Sequence, residues 1–282
     1  MHRLPLRRSR RQKLRIGFVS PISPGSTIDA FRQGLREVGY VEGQNVIVET
    51  RFAEARLERL PELIAEVIRL KVDVLVVGSS AGALAAKRAT TTVPIVFTGL
   101  IDPVDLGIVA SLARPGGNIT GVTFGVGGSG FAGKWVELLK QAVPSVSRIA
   151  VLWNSAGPAS ASLVREMEVA ARTLKVKLDV LDAGNAPNLE RAFAAIRASG
   201  AQAIIVTNDP FFVANRAQLV QFAASKRLPA VYFIKLFADA GGLMAYGGSL
   251  EDSYRRAAKY VDISKHVGRV NRESIVIDAV AA

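Results

Sequence analysis

VPIVFTGLIDPVDLGIVASLARPGGNITGVTF, residues 93–124, decides how the rest of the chain is read. Ile95–Thr98 is a short apolar run with β-branched residues, the signature of a strand buried on both faces. Asp102-Pro103 makes a turn, a short apolar helix is predicted after it, and Pro115-Gly116-Gly117-Asn118 turns the chain again. Ile119–Phe124 then reads as a second strand. The stretch holds no nucleophile–base pair, no cluster of metal ligands and no phosphate loop. It offers a strand end carrying Thr98 and Asp102, then a strand that leaves one half of the molecule for the other. The expectation is two α/β lobes hinged here, with a small ligand between them.

Upstream, Leu14–Ser20 is a further apolar run and ends at Pro21. Ser26 or Thr27 is placed to cap a helix whose apolar positions Ile28, Phe31, Leu35 and Val38 follow helical spacing, with Gly39 ending it. Strand Val46–Phe52 follows. The next helix, residues 58–70, carries the stripe Leu60, Leu63, Ile64, Val67 and Ile68, with Pro61 confined to its first turn. Strand Asp73–Val77 leads through Gly78-Ser79-Ser80-Ala81-Gly82 into a helix at Ala83–Ala89. Strands alternating with helices at short intervals predict parallel pairing by right-handed crossovers, and five strands make one doubly wound lobe.

Downstream the pattern restarts. Phe131, Trp135, Leu138, Leu139 and Ala142 form a helical stripe ending at Pro144, and strand Arg148–Trp153 follows. Helix Ala159–Leu174, strand Lys177–Leu181, helix Asn188–Ala198, strand Ala203–Val206, helix Phe212–Ser225 and strand Ala230–Tyr232 complete a second set. This set opens on a helix, so its first strand is expected to be shared with the crossing at 119–125. Residues 243–248 read as the return crossing, and Ser249 as the cap of a helix beginning at Leu250. Past Tyr260 the pattern weakens to one short strand, Ser274–Val280. The predicted organisation is a basic disordered arm (1–12), a first lobe (13–122 with 247–265), a second lobe (123–246) and an atypical tail (266–282).

Composition narrows the function. The 282 residues are 49% hydrophobic and 21% charged, as in a folded globular protein. With no cysteine there is no disulfide, no thiolate zinc site and no thiol catalysis; with two histidines, His2 and His266, imidazole catalysis and His-rich metal sites have no material. No metal and no cofactor is expected, and the chain is not expected to be an enzyme. The net charge of +12 is concentrated in Arg3, Arg7, Arg8, Arg10, Arg11, Lys13 and Arg15, read as a solvated leader rather than a nucleic-acid site. The basic run passes directly into LRIGFVS, with no separate apolar core of a secretory signal. No apolar run reaches the roughly 18 residues of a membrane span.

In open parallel sheets, ligands bind beyond the carboxyl ends of the strands. The candidate residues there are Ser23, Ser79, Ser80, Thr98, Asp102, Thr123, Asn154, Asn208, Asp209, Phe211 and Tyr232. Ser79 and Ser80 open a helix, where free N–H groups suit an anion or simply receive a cap. Asp102 and Asp209 each precede a proline, as turn formers or as partners for a ligand ammonium. Asn154 and Asn208 both donate and accept; Phe211 and Tyr232 offer rings for stacking or for the core. Gly78–Gly82 is neither a Walker loop nor a dinucleotide fingerprint. The glycines of Gly127-Gly128-Ser129-Gly130 are placed to absorb hinge rotation.

FRQGLREVGYVEGQNVIVETRFAE, the run LPELIAEV…RPGGNITGVTF, and AGGLMAYGGSLEDSYRRAAKY resemble the substrate-binding proteins of bacterial ABC uptake transporters, specifically the family with tryptophan- and tyrosine-binding members. The resemblance covers residues 13–260. It implies a type I periplasmic-binding-protein fold: two doubly wound Rossmann-like lobes joined by a hinge of three crossings. It implies capture of a small solute, an amino acid or aromatic compound, for an ABC permease and its ATPase, by a monomer in the periplasm. By matching position, Ser80, Asp102, Thr123, Asn154 and Asp209 are its ligand contacts, and Thr123, Phe124, Gly125, Tyr246 and Gly247 form the hinge. Asp-Pro-Phe-Phe at 209–212 departs from the aromatic-amino-acid binders. So does the start, which lacks the relatives' signal and would leave the protein in the cytoplasm. The altered end reads as a truncated or frame-shifted product without the third crossing. The rival readings are a two-lobed enzyme such as a sugar-nucleotide transferase, which wants a diphosphate loop, and a ligand-sensing regulator, which wants a DNA-reading domain ahead of the first strand.

Overall fold

The computed structural model describes residues 13–125, 131–266 and 278–279. Its first sheet contains β1 (Leu14–Ser20), β2 (Val46–Phe52), β3 (Val74–Gly78), β4 (Ile95–Ile101), β5 (Ile119–Gly125) and β11 (Asp278–Ala279), in the order β11-β5-β4-β3-β1-β2. The second contains β6 (Arg148–Trp153), β7 (Lys177–Asp182), β8 (Ala203–Val206), β9 (Ala230–Tyr232) and β10 (Met244–Ala245), in the order β10-β9-β8-β6-β7. Every pairing is parallel. Numbered from its own first strand, each sheet begins 2-1-3-4-5, so the two halves share one winding. Each has a switch point between its first and third strands, where successive crossovers leave in opposite directions.

The helices are α1 (Ser26–Glu37), α2 (Leu60–Arg69), α3 (Ser79–Ala89), α4 (Gly133–Ala142), α5 (Ser160–Leu174), α6 (Ala186–Ser199), α7 (Pro210–Ala214), α8 (Arg216–Ser225), α9 (Lys235–Asp239) and α10 (Leu250–His266). Alternation along β1 assigns the first sheet's two faces. Ile16 and Phe18 pack in the core that includes Phe31 and Leu35 of α1 and Tyr254, Ala258 and Val261 of α10. Val19 packs in a separate core with Leu60, Ile64 and Val67 of α2 and Ala83 and Ala86 of α3. Gly34 lets α1 and α10 approach closely, since a Cβ there would lie 2.1 Å from the carbonyl oxygen of Arg255.

Several expectations are corrected. Residues 104–112 form turns rather than a helix; Ile108 and Val109 are buried, and their N–H groups donate to Pro103 O. Positive φ at Asp102 (53°) and Gly107 (64°) bends the segment out of helical geometry. The third helix starts at Ser79, directly after β3, rather than at Ala83. The helix expected at 212–225 is broken at Asn215, and α9 was not foreseen. β5 is not shared: it pairs with β4 and β11 in the first sheet through Gly125, so the second sheet's first strand is β6. The arm 1–12, the glycine run 127–130 and most of the tail lie outside the described residues.

The two crossings meet over aromatic rings. Phe124 of β5 packs edge-on against Phe233 (5.3 Å between centroids), and Phe131 stacks on Tyr246 at 5.6 Å. Trp135 Nε1 donates to Tyr246 O at 2.8 Å. A Cβ on Gly248 would lie 2.3 Å from the Phe124 ring, so the outgoing and returning strands touch there. α10, which follows the return, packs against α1 and β4 of the first sheet.

Candidate functional site

The carboxyl ends of both sheets face one cleft. At the first switch point, β3 ends at Gly78 and α3 begins at once, with Ser79 in the left-handed region at φ 67°. Ser79 Oγ accepts from Gly82 N at 3.2 Å, taking up one first-turn N–H of this eleven-residue helix, whose opening residues Ser79, Ser80 and Ala81 border the cleft. At the second switch point, Asn154 follows β6 and Asp209 follows β8. Asn154 Nδ2 donates to Asp209 Oδ2 at 2.9 Å, and Asn154 Oδ1 accepts from Ala156 N at 3.0 Å. Asp209 Oδ1 accepts from Phe211 N at 2.8 Å, capping α7. Asp209 is 3% exposed; burial pushes its carboxyl up to about 6, against the opposing pull of those donors.

Two adjoining cavities lie in this cleft, both bordered by Ser79, Gly99, Asn208 and Pro210. One is the more polar of the two, reached by Ser80 and Ala81 from α3 and by Ser160, Asn208 and Asp209 from the other side. The other is apolar, walled by Ile22, Phe124, Val213, Ile234, Leu250 and Tyr254. Among the described residues no lysine or arginine borders either cavity. Positive potential there comes instead from the N-termini of α3 and α5, which enter from opposite sheets. Each cavity is about 40 Å³, room for a few waters rather than for an amino acid.

The candidate residues fall into three groups. Ser79, Ser80, Asn208 and Asp209 are brought together on the polar cavity, with Asn154 directly behind Asp209. Thr98, Asp102 and Thr123 are buried beside the cleft in other contacts. Thr98 Oγ1 bonds Ser253 Oγ of α10, Thr123 Oγ1 donates to Leu100 O at 2.9 Å, and Asp102 Oδ2 accepts from Ser162 Oγ of α5 at 3.2 Å. Ser23, Phe211 and Tyr232 border neither cavity. Ser23 is exposed, Phe211 packs edge-on against Phe212, and Tyr232 is buried against the second sheet, stacked on Phe237 at 4.7 Å. Burial alone pushes the Tyr232 hydroxyl up to about 12.

Sequence reasoning missed Ser160 and the apolar wall. Ser160 lies two residues past the Asn154–Pro158 loop and was findable by following the chain into its helix. Ile234, Leu250 and Tyr254 carry no local signal, because core and cleft apolar residues look alike in a sequence. Among the described residues no group of three or more His, Cys, Asp or Glu side chains is placed to hold a metal. Nor is any described helix long and apolar enough to cross a membrane.

Residues 16–264 match the family described as ABC transporter substrate binding protein. The chain belongs to this family. A curated relative, a tyrosine-binding protein of Clostridioides difficile (strain R20291), is 30% identical over 151 residues, 52% of this chain and 42% of that protein. The chain thus aligns with less than half the length of that relative. Among solved structures, a conserved domain protein from Vibrio cholerae O1 biovar El Tor superposes with TM-score 0.83 at 25% identity, over 96% of this chain and 90% of that one. A Streptococcus pneumoniae domain in complex with L-Trp superposes with TM-score 0.84 at 20% identity and the same coverage. The type I periplasmic-binding-protein fold is thereby shown.

Proposed function

We propose that this chain is the solute-capturing component of an ABC-type uptake transporter, a non-enzymatic clamp that takes an amino acid with an apolar side chain into the interlobe cleft. The observation that carries the reading is the junction of a polar and an apolar cavity at the carboxyl ends of both sheets. A ligand carboxylate fits between the N-termini of α3 and α5, which supply N–H donors and positive potential. Its ammonium fits near Asp209, the one carboxylate bordering the polar cavity. Its side chain fits the apolar wall of Phe124, Ile234, Leu250 and Tyr254. The tyrosine-binding relative and the L-Trp complex are consistent with such a ligand.

In this reading the first lobe is built on the first sheet with α10, the second on β6–β10, and the crossings at Phe124–Gly125 and Tyr246–Gly247 are the hinge. A ligand that bridges both lobes adds contacts found only in the closed state and so shifts the equilibrium toward it. The loaded clamp works outside the inner membrane and delivers its solute to a permease with an ATPase partner. The test is thermal unfolding and solution scattering with L-tryptophan, L-tyrosine and L-leucine as probes. A rise in Tm together with a fall in radius of gyration for at least one probe is the expected result. No change in either for any of the three contradicts the reading.

A further inference from the structure

We propose that Asp102 gates lobe closure through its own protonation, so that the clamp closes more readily in mild acid than at neutral pH. The proposal rests on the solute-clamp reading and adds a regulation of the same cleft.

Asp102 directly follows β4, in the left-handed region at φ 53°, and is 2% exposed. Its Oδ2 accepts a hydrogen bond from Ser162 Oγ, on the first turn of α5, at 3.2 Å. α5 packs with the second sheet, so this bond joins the two halves and exists only while they are together. Asp102 Oδ1 is buried and has no hydrogen-bond partner. Among the described residues the charged groups that act on Asp102 are Glu166 of α5 and Asp105 of its own turn, both carboxylates. Closure therefore gives the ionised side chain one hydroxyl donor, one bare oxygen and two like charges. A buried carboxylate so placed opposes closure, whereas the neutral acid has a proton to donate and loses far less on leaving water. Parting the lobes withdraws Ser162 and Glu166 and returns Asp102 to water.

The sign follows from linkage. Burial, and secondarily the two carboxylates, push the Asp102 carboxyl in the closed form up to about 6 against an ordinary 3.8. The closed form then binds more protons than the open form across that window, and closure strengthens as pH falls through about 6. With the open form at the ordinary value, the closing constant rises about tenfold between roughly pH 8 and pH 5. Burial also pushes the Asp209 carboxyl up to about 6, but its donors Asn154, Phe211 and Phe212 all belong to its own half of the molecule. A substitution at 102 therefore separates the two groups.

Asp102→Asn is nearly isosteric, and Asn accepts the left-handed backbone as readily as Asp. Scattering of the ligand-free wild type is expected to give a smaller radius of gyration near pH 5 than near pH 8, with the variant compact at both. With L-tryptophan as probe, the ratio of wild-type to variant affinity is expected to rise about tenfold from pH 8 to pH 5, because the titration of Asp209 is common to both proteins and cancels. A wild-type radius that does not move with pH, or a variant that keeps the full wild-type response, overturns the proposal. If no probe binds, the solute reading fails on its own test, while the ligand-free scattering still decides the gate.

Discussion

Asn154→Ala tests the arrangement at the second switch point. The substitution removes the donor to Asp209 Oδ2 (2.9 Å) and the acceptor for Ala156 N (3.0 Å). Asn154 is 8% and Asp209 3% exposed, so water does not readily replace the lost donor. A hydrogen bond to a charged group contributes about 1.5–3 kcal/mol, and a neutral one about 1 kcal/mol. The expected loss at neutral pH is therefore about 3 kcal/mol, or roughly 6–12 °C in Tm if the second half unfolds as a unit of ordinary domain size. The Asn154 donor also holds the Asp209 carboxyl down, so its removal raises that pKa further. The variant should consequently recover part of its stability near pH 5, where Asp209 carries its own proton. Urea unfolding followed by circular dichroism near pH 7.5 and near pH 5 gives both numbers. Equal destabilisation at the two pH values would refute the reasoning, because the loss would not then come from a buried, ionised Asp209.

Further outcomes follow from the same structure. Gly34→Ala places a methyl 2.1 Å from Arg255 O, a backbone atom that cannot swing aside, and should cost about 2–3 kcal/mol in urea unfolding by forcing α1 and α10 apart. The global pH profile has a definite sign: Asp102 and Asp209 both have folded pKa values raised to about 6, so their combined contribution lowers stability as pH rises from about 4 to 6 and is constant above. Wild type should therefore be more stable near pH 5.5 than near pH 7.5 by thermal unfolding, and Asp102→Asn should reduce that difference.

The parallel strands were legible because strands buried on both faces must be continuously apolar, as in Leu14–Ser20 and Asp73–Val77, and because their turns carry Gly, Pro, Asn and Asp. The loops beyond strand ends were legible for the same reason, and Ser79, Ser80, Asn208 and Asp209 do come together. What failed was anything set by distant partners. Thr98 looks like a cleft residue from its strand position, yet its hydroxyl is bonded to Ser253, 155 residues later. Tyr232 sits at the right edge, but strand parity turns its ring inward to stack on Phe237. The apolar run at 104–112 has helix-forming composition, but left-handed Asp102 and Gly107 bend it into turns. The link from Asp102 to Ser162 crosses between the two halves, and no local pattern announces it.

The central claim, a solute held in the cleft between the two sheets, is tested most directly by filling that cleft. Asn208 is half-buried, borders both cavities, and has no part in the Asn154–Asp209 pair. Asn208→Trp should occupy the space without disturbing either core, keeping Tm within about 3 °C of wild type. Calorimetric titration with the probe that binds wild type should then show affinity reduced at least about a hundredfold, a loss of roughly 2.7 kcal/mol. Wild-type affinity retained in a folded Asn208→Trp variant would contradict the account, because the solute would have to bind elsewhere.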